Sequence, residues 1–177
     1  MVKREGKLGF WLSTAFFSLR NKFNPPAKMV READIEPGMR VLDFGCGVGG
    51  HAFAAAELVG DTGRVYALDI NALAVDRIER VARKKGFANV EAICSECETG
   101  LDGGYLDVAM IYDTFHVLDE PGRVLTEIHR VLKPAGVLSF SDHHMNEDGT
   151  IAGVTGGGLF RLSGKGEKTY TFVKAGR

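Results

Sequence analysis

The chain has 177 residues, of which 45% are hydrophobic and 25% charged, and its formal net charge is −1. That length suits one domain with a real core and leaves little room for a second. So even a charge balance argues against a broad nucleic-acid surface, no apolar run reaches bilayer-spanning length, and 3 cysteines make no disulfide framework, so a reducing cytoplasm is the expected location.

Lys3, Arg4 and Lys7 precede an apolar patch from Leu8 to Phe17. The pattern imitates a signal peptide, but no small-residue cleavage site follows and Arg20 and Lys22 close the segment, so it reads as mature protein. From Leu8 to Leu19, the residues Phe10, Trp11, Ala15, Phe16, Phe17 and Leu19 cover one side of a helix. Its readings stay open: a helix on the domain's edge, a mobile cap over an active site, a membrane-surface helix, or a homodimer contact. Residues 1–24 are therefore set apart as a helical cap segment, and 25–177 as the domain. Asn24-Pro25-Pro26 breaks the segment, Pro26 opens a helix to about Ala33, and Pro37-Gly38 turns the chain into a strand.

Arg40 to Phe44 is a short apolar run with one acid, which reads as a buried parallel strand. Glycines then crowd in, and a small-residue helix from Ala52 to Val59 follows, ended by Gly60. A strand that ends in glycines and opens a helix is a nucleotide-binding turn. Gly45, Gly47 and Gly50 satisfy G-x-G-x-x-G, so a nicotinamide dinucleotide is one reading. Asp43 points elsewhere: a carboxylate aimed into the crevice repels a pyrophosphate and welcomes an ammonium, directly or through water. The run Asp43-Phe44-Gly45-Cys46-Gly47-Val48-Gly49 resembles the first motif of the class I S-adenosylmethionine-dependent methyltransferases.

Arg64 to Ile70 is the second strand, and Asp69 stands at its carboxyl end, where vicinal ribose hydroxyls are caught in this architecture. Asn71 caps a helix from Ala72 to Lys85, with Ile78, Val81 and Ala82 on its apolar face. Asn89 to Cys94 is the third strand. The resemblance implies that the acid just after it, Glu96, takes the adenine amino group and that the backbone of Cys97 meets a ring nitrogen, with Glu98 a competitor. Cys94 and Cys97 also form a C-x-x-C, but no second pair completes a zinc set and an acidic loop does not suit a redox pair.

Leu106 to Tyr112 is the fourth strand, with Asp107 structural at its start and Asp113-Thr114-Phe115-His116 at its carboxyl end. Glu120 to Leu132 carries a helical stripe of Val124, Leu125, Ile128, Val131 and Leu132. Pro134-Ala135-Gly136 is a turn, Val137 to Ser141 the fifth strand, and Asp142-His143-His144 its end. The run Leu132-Lys133-Pro134-Ala135-Gly136-Val137-Leu138 is again similar to a methyltransferase segment. Met145 to Gly158 makes at best a short, poor helix, and Leu159–Leu162 with Thr169–Val173 reads as a hairpin.

The fold the resemblance implies is α/β, a doubly wound, seven-stranded, mostly parallel sheet closed by a C-terminal antiparallel hairpin, with helices on both faces in a three-layer sandwich. S-adenosylmethionine is the implied cofactor, bound by Asp43, Gly45, Cys46, Gly47, Gly49, Asp69, Ile70, Glu96, Cys97 and Tyr112. His116 is the first candidate for a general base, with Asp113 and His143 beside it. His143 and His144 point to opposite faces if the strand continues, so one of them faces the pocket. A metal held by Asp142 and the histidines has no diagnostic spacing, and none is expected. The expected activity is methyl transfer to a small molecule. The alternatives are a non-catalytic cofactor-binding subunit and a nicotinamide-dependent oxidoreductase.

Overall fold

The computed structural model describes residues 26–176. The expected helical cap, 1–24, with its lid, interface and membrane readings, lies outside the described residues.

The order of elements is α1 (Pro26–Arg31), β1 (Arg40–Phe44), α2 (Gly50–Val59), β2 (Arg64–Asp69), α3 (Ala72–Lys85), β3 (Val90–Cys94), β4 (Leu106–Tyr112), a 3₁₀ turn (Phe115–Val117), α4 (Pro121–Val131), β5 (Leu132–Ser141), α5 (Glu147–Thr155), β6 (Phe160–Lys165) and β7 (Tyr170–Lys174). The seven strands form one sheet in the order β3-β2-β1-β4-β5-β7-β6. The first five are parallel, and β7 pairs antiparallel with both β5 and β6. Sequence order reverses between β1 and β4, and the crevice outside the carboxyl ends of strands at such a point is where open α/β sheets bind ligands.

The sheet is buried on both faces, which is why β1 and β4 read as nearly continuous apolar runs. One core packs Val30 of α1, the alanines Ala52, Ala55 and Ala56 of α2, and Ile78 of α3 against Val41, Val65, Val108 and Met110. The opposite core packs Val124, Leu125, Ile128 and Val131 of α4 and Val154 of α5 against Leu42, Leu68, Leu138, Phe140 and Phe172. The predicted three-layer architecture is the observed one. No helix among the described residues is long and apolar enough to cross a membrane.

Two segments differ from expectation. Residues 147–155 form a regular helix, because Asn146 accepts the Gly149 N–H at 2.8 Å, Glu147 and Asp148 favour the positive end of the helix dipole, and Thr150 and Val154 are buried. Tertiary packing overrides the poor glycine-rich propensity there. The expected turn at 134–136 is instead an irregularity inside β5: Leu106 pairs with Leu132 but Val108 with Val137, so the extra residues bulge out of the ladder. At that opposite, amino-terminal edge Asp107 is structural as expected, accepting the Arg40 N–H at 2.9 Å and pairing with Lys133.

Candidate active site

The glycine turn leaves β1 at the switch point. The N–H groups of Gly45 and Cys46 both donate to Leu68 O, at 2.8 and 2.9 Å, so the turn is stitched to the end of β2. The next N–H, of Gly47, donates to Asp69 Oδ2 at 2.8 Å, and Asp69 Oδ1 accepts the Asn71 N–H at 2.8 Å. Gly47 has φ of +50°, and a Cβ there would meet nothing within 4 Å. Gly49, with φ of +84°, is packed shut: a Cβ would fall 2.2 Å from Ile78 Cδ1. The backbone is thus sealed against α3 at Gly49 and open at Gly47.

Asp43, expected to face the crevice, is 1% exposed at the end of β1 and accepts the Ala52 N–H of α2. Its Oδ2 is buried with no hydrogen-bond partner. Burial pushes its carboxyl up to about 7, and the nearby charge of Asp69 pushes the same way. The Cys46 thiol beside it is buried and held well above its ordinary value, first by desolvation and then by Asp43 and Asp69. Both shifts favour the uncharged form of the group.

Of the remaining cofactor candidates, Ile70 is half-buried just past the end of β2. Glu96 is exposed, and its competitor Glu98, also exposed, is paired with Arg123. Cys97 is buried and its N–H donates to Ser95 Oγ at 3.3 Å, a long bond that a better acceptor can replace. Tyr112 turns its side chain into the core: its hydroxyl meets Ser139 Oγ at 2.7 Å and its ring packs edge-on against His51 at 4.9 Å. The ring is therefore not a cleft group. Cys46, Cys94 and Cys97 are all free.

The loop after β4 closes on the turn, since Thr114 Oγ1 lies 3.5 Å from Gly45 O. Two aspartate–histidine pairs follow. His116 Nδ1 lies 2.8 Å from Asp142 Oδ2, and His143 Nδ1 lies 2.6 Å from Asp113 Oδ1. Each strand end lends its acid to the other's imidazole. The aspartates also accept the backbone N–H of the same histidines, at 3.0 and 3.1 Å. His144 stacks between the two rings, with centroids 4.0 Å from His116 and 3.9 Å from His143. The expected alternation of His143 and His144 fails because β5 ends at Ser141 and the chain then turns, Met145 N–H donating to Asp142 O at 3.1 Å. Asp113 takes φ of +52°, a left-handed conformation that aspartate tolerates better than most residues. In the sequence Asp142 is one polar group among several at this edge; the signal that singles it out is contact across 26 residues, which no local pattern carries. Among the described residues no group of three or more His, Cys, Asp or Glu is placed to hold a metal ion.

The family model for a methyltransferase domain matches residues 35–176. A ubiquinone/menaquinone biosynthesis C-methyltransferase from Paraburkholderia phytofirmans is 34% identical over 119 residues, covering 63% of this chain and 47% of that protein. The chain thus spans about half the length of the curated relatives it matches. A crystal structure of an S-adenosylmethionine-dependent methyltransferase from Aquifex aeolicus superposes with a TM-score of 0.76 at 27% identity, covering 84% of this chain and 89% of that one. An arsenic(III) S-adenosylmethionine methyltransferase from Chlamydomonas reinhardtii superposes with a TM-score of 0.54 at 36% identity, covering 62% of this chain and 40% of that one.

Proposed function

Since the chain belongs to the class I S-adenosylmethionine-dependent methyltransferases, we propose that it methylates a small hydroxylated aromatic ring of the quinol type, on carbon, with His116 as the base. Family membership leaves the nicotinamide reading of Gly45, Gly47 and Gly50 without support. The observation that carries the proposal is that the open glycine turn at Gly47 and a histidine held on an aspartate both follow the carboxyl ends of neighbouring strands, joined by the Thr114–Gly45 contact. The quinol class is our inference from curated relatives named as C-methyltransferases of ubiquinone/menaquinone biosynthesis. Val117, directly after His116 and 52% exposed, offers an apolar surface to such a ring.

The residues present fit the cofactor. Asp43 Oδ2, buried and without a partner in the protein, is an acceptor left for a charge-assisted contact to an ammonium, direct or through one water. We assign the ribose hydroxyls to Asp69, at the carboxyl end of β2, and the adenine edge to Glu96 with the Cys97 N–H, after β3. When bound, S-adenosylmethionine supplies a methyl carbon already activated by a sulfonium. His116 takes the proton of a ring hydroxyl, which raises electron density at the adjacent ring carbon. Once the new carbon–carbon bond has formed at the expense of the carbon–sulfur bond, the ring carbon gives its hydrogen to water as a proton, the ring regains aromaticity, and the His116 imidazolium returns its proton to the ring oxygen. The rest is alignment and exclusion of water. We place the enzyme in the cytoplasm, in keeping with its free cysteines.

Calorimetric titration with S-adenosylmethionine and S-adenosylhomocysteine tests the cofactor. Turnover with a panel of reduced quinols, catechols, small amines and arsenite tests the acceptor. Methylation of arsenite or an amine in preference to every quinol rejects the proposed substrate class.

A further inference from the structure

We infer that Asp142 is the positioning residue that fixes His116 in the form a base requires, with Nδ1 protonated and Nε2 the accepting nitrogen. The inference rests on the reading of His116 as the base.

The Asp142 side chain is fully shielded from solvent, against 26% exposure for His116. Its Oδ2 accepts the His116 backbone N–H at 3.0 Å and lies 2.8 Å from Nδ1 of the same residue. Its Oδ1 accepts the His144 N–H at 3.1 Å. With both oxygens engaged by fixed backbone donors, the carboxylate cannot swing away from the ring. An ionised carboxylate only accepts, so Nδ1 donates, and the neutral imidazole is left with Nε2 as its one acceptor. The ring is braced a second time by His144, stacked at 4.0 Å with planes 38° apart. Its backbone is braced by Phe115, which packs edge-on against Phe140 at 5.2 Å.

The second pair differs. The His143 side chain is 56% exposed, and its acid, Asp113, sits on the left-handed turn that leaves β4. Asp142–His116 is the inner pair and Asp113–His143 the outer clasp that holds the two strand ends together. A base fixed in one tautomer has a use only where the nucleophile sheds a proton. The acceptor is therefore of the class that bears a removable hydrogen, a ring hydroxyl or a thiol, and not a lone-pair donor such as a tertiary amine.

The test is ¹⁵N NMR of the histidines in the full chain at a pH where the rings are neutral, with turnover on the acceptor that the panel identifies. The expected spectrum has His116 protonated on Nδ1, and Asp142→Ala abolishes that preference and lowers kcat by about 10²-fold, the usual share of a positioned base. A parent His116 protonated on Nε2 overturns the inference, and this spectrum needs no variant should Asp142→Ala fold poorly. Loss of turnover in His116→Ala with full turnover in Asp142→Ala overturns the inference while the base reading stands. Full turnover in both overturns the base reading itself.

Discussion

Asp69 reaches back from the end of β2 to hold the Gly47 N–H at 2.8 Å, so the acid of one strand fixes the backbone turn of its neighbour. The same carboxylate accepts the Asn71 N–H at the start of α3, which makes it a hinge point between turn, strand and helix. A ribose that bonds Asp69 therefore competes with, or completes, a contact that already shapes the turn. Asp69→Ala is expected to weaken S-adenosylmethionine binding by about 1–3 kcal/mol, the range for losing a charge-assisted contact. Calorimetry checks this, and an unchanged dissociation constant rejects the ribose role.

The two neighbouring glycines separate binding from folding. A Cβ on Gly49 has to displace Ile78 Cδ1 from 2.2 Å and Phe53 Cε2 from 2.8 Å, in addition to adopting φ of +84°. Gly49→Ala is expected to lose roughly 2–4 kcal/mol of stability through overpacking and left-handed strain together. A Cβ on Gly47 meets no atom, so Gly47→Ala is expected to lose only about 1–2 kcal/mol from backbone strain. Its methyl group, however, stands in the open part of the turn. Denaturant melts and calorimetry on both variants check the contrast: Gly47→Ala is to lose more than tenfold in cofactor affinity while remaining the better folded of the two.

The fold was legible because its signals are local. The apolar runs of β1, β2 and β4, the glycine turn, the Asn71 cap and the α4 stripe each announce themselves within a few residues. The site was legible only as an edge. Its groups were placed correctly at the carboxyl ends of the strands, but their partners are set by pairing across the sheet. The Asp43 carboxylate is buried and accepts the Ala52 N–H of α2, a contact that the sequence period does not encode. The exchange between Asp113–His143 and Asp142–His116 depends on β4 and β5 ending in register, Tyr112 opposite Ser141.

The closing hairpin is tied to the start of the domain by one carboxylate. Glu32 Oε2 accepts the N–H groups of Lys168 and Thr169, each at 3.0 Å, and the Thr169 hydroxyl at 2.9 Å. Thr169 is 1% exposed, so its donors have no water to turn to. Gly166 makes room for this contact, since a Cβ there would fall 2.3 Å from the same oxygen. Glu32→Ala leaves several donors without partners and is expected to cost about 2–3 kcal/mol. Glu32→Gln keeps one acceptor oxygen and is expected to cost less. Urea unfolding of the three proteins checks the order, and equal midpoints for parent and alanine variant reject the clasp.

Asp43 links stability, pH and ligand. Its carboxyl is raised in the folded chain from 3.8 to about 7 because burial disfavours the charged form. Between those values the native state holds a proton that the unfolded chain has released, so unfolding free energy falls as pH rises. The contribution is whole below about pH 4 and is lost as pH passes through about 7, a difference on the order of 4 kcal/mol. Asp43→Asn, which cannot ionise, is expected to remove this slope and to unfold at higher urea than the parent at pH 8. The variant is to bind S-adenosylmethionine more weakly at that pH, because it lacks the charge that an ammonium would meet. In the parent, binding near pH 7 is expected to release a proton, seen as a dependence of the binding heat on the ionisation enthalpy of the buffer. If stability of parent and variant runs parallel from pH 5 to pH 8 and no proton is released, Asp43 is a neutral core acid and the ammonium is held elsewhere.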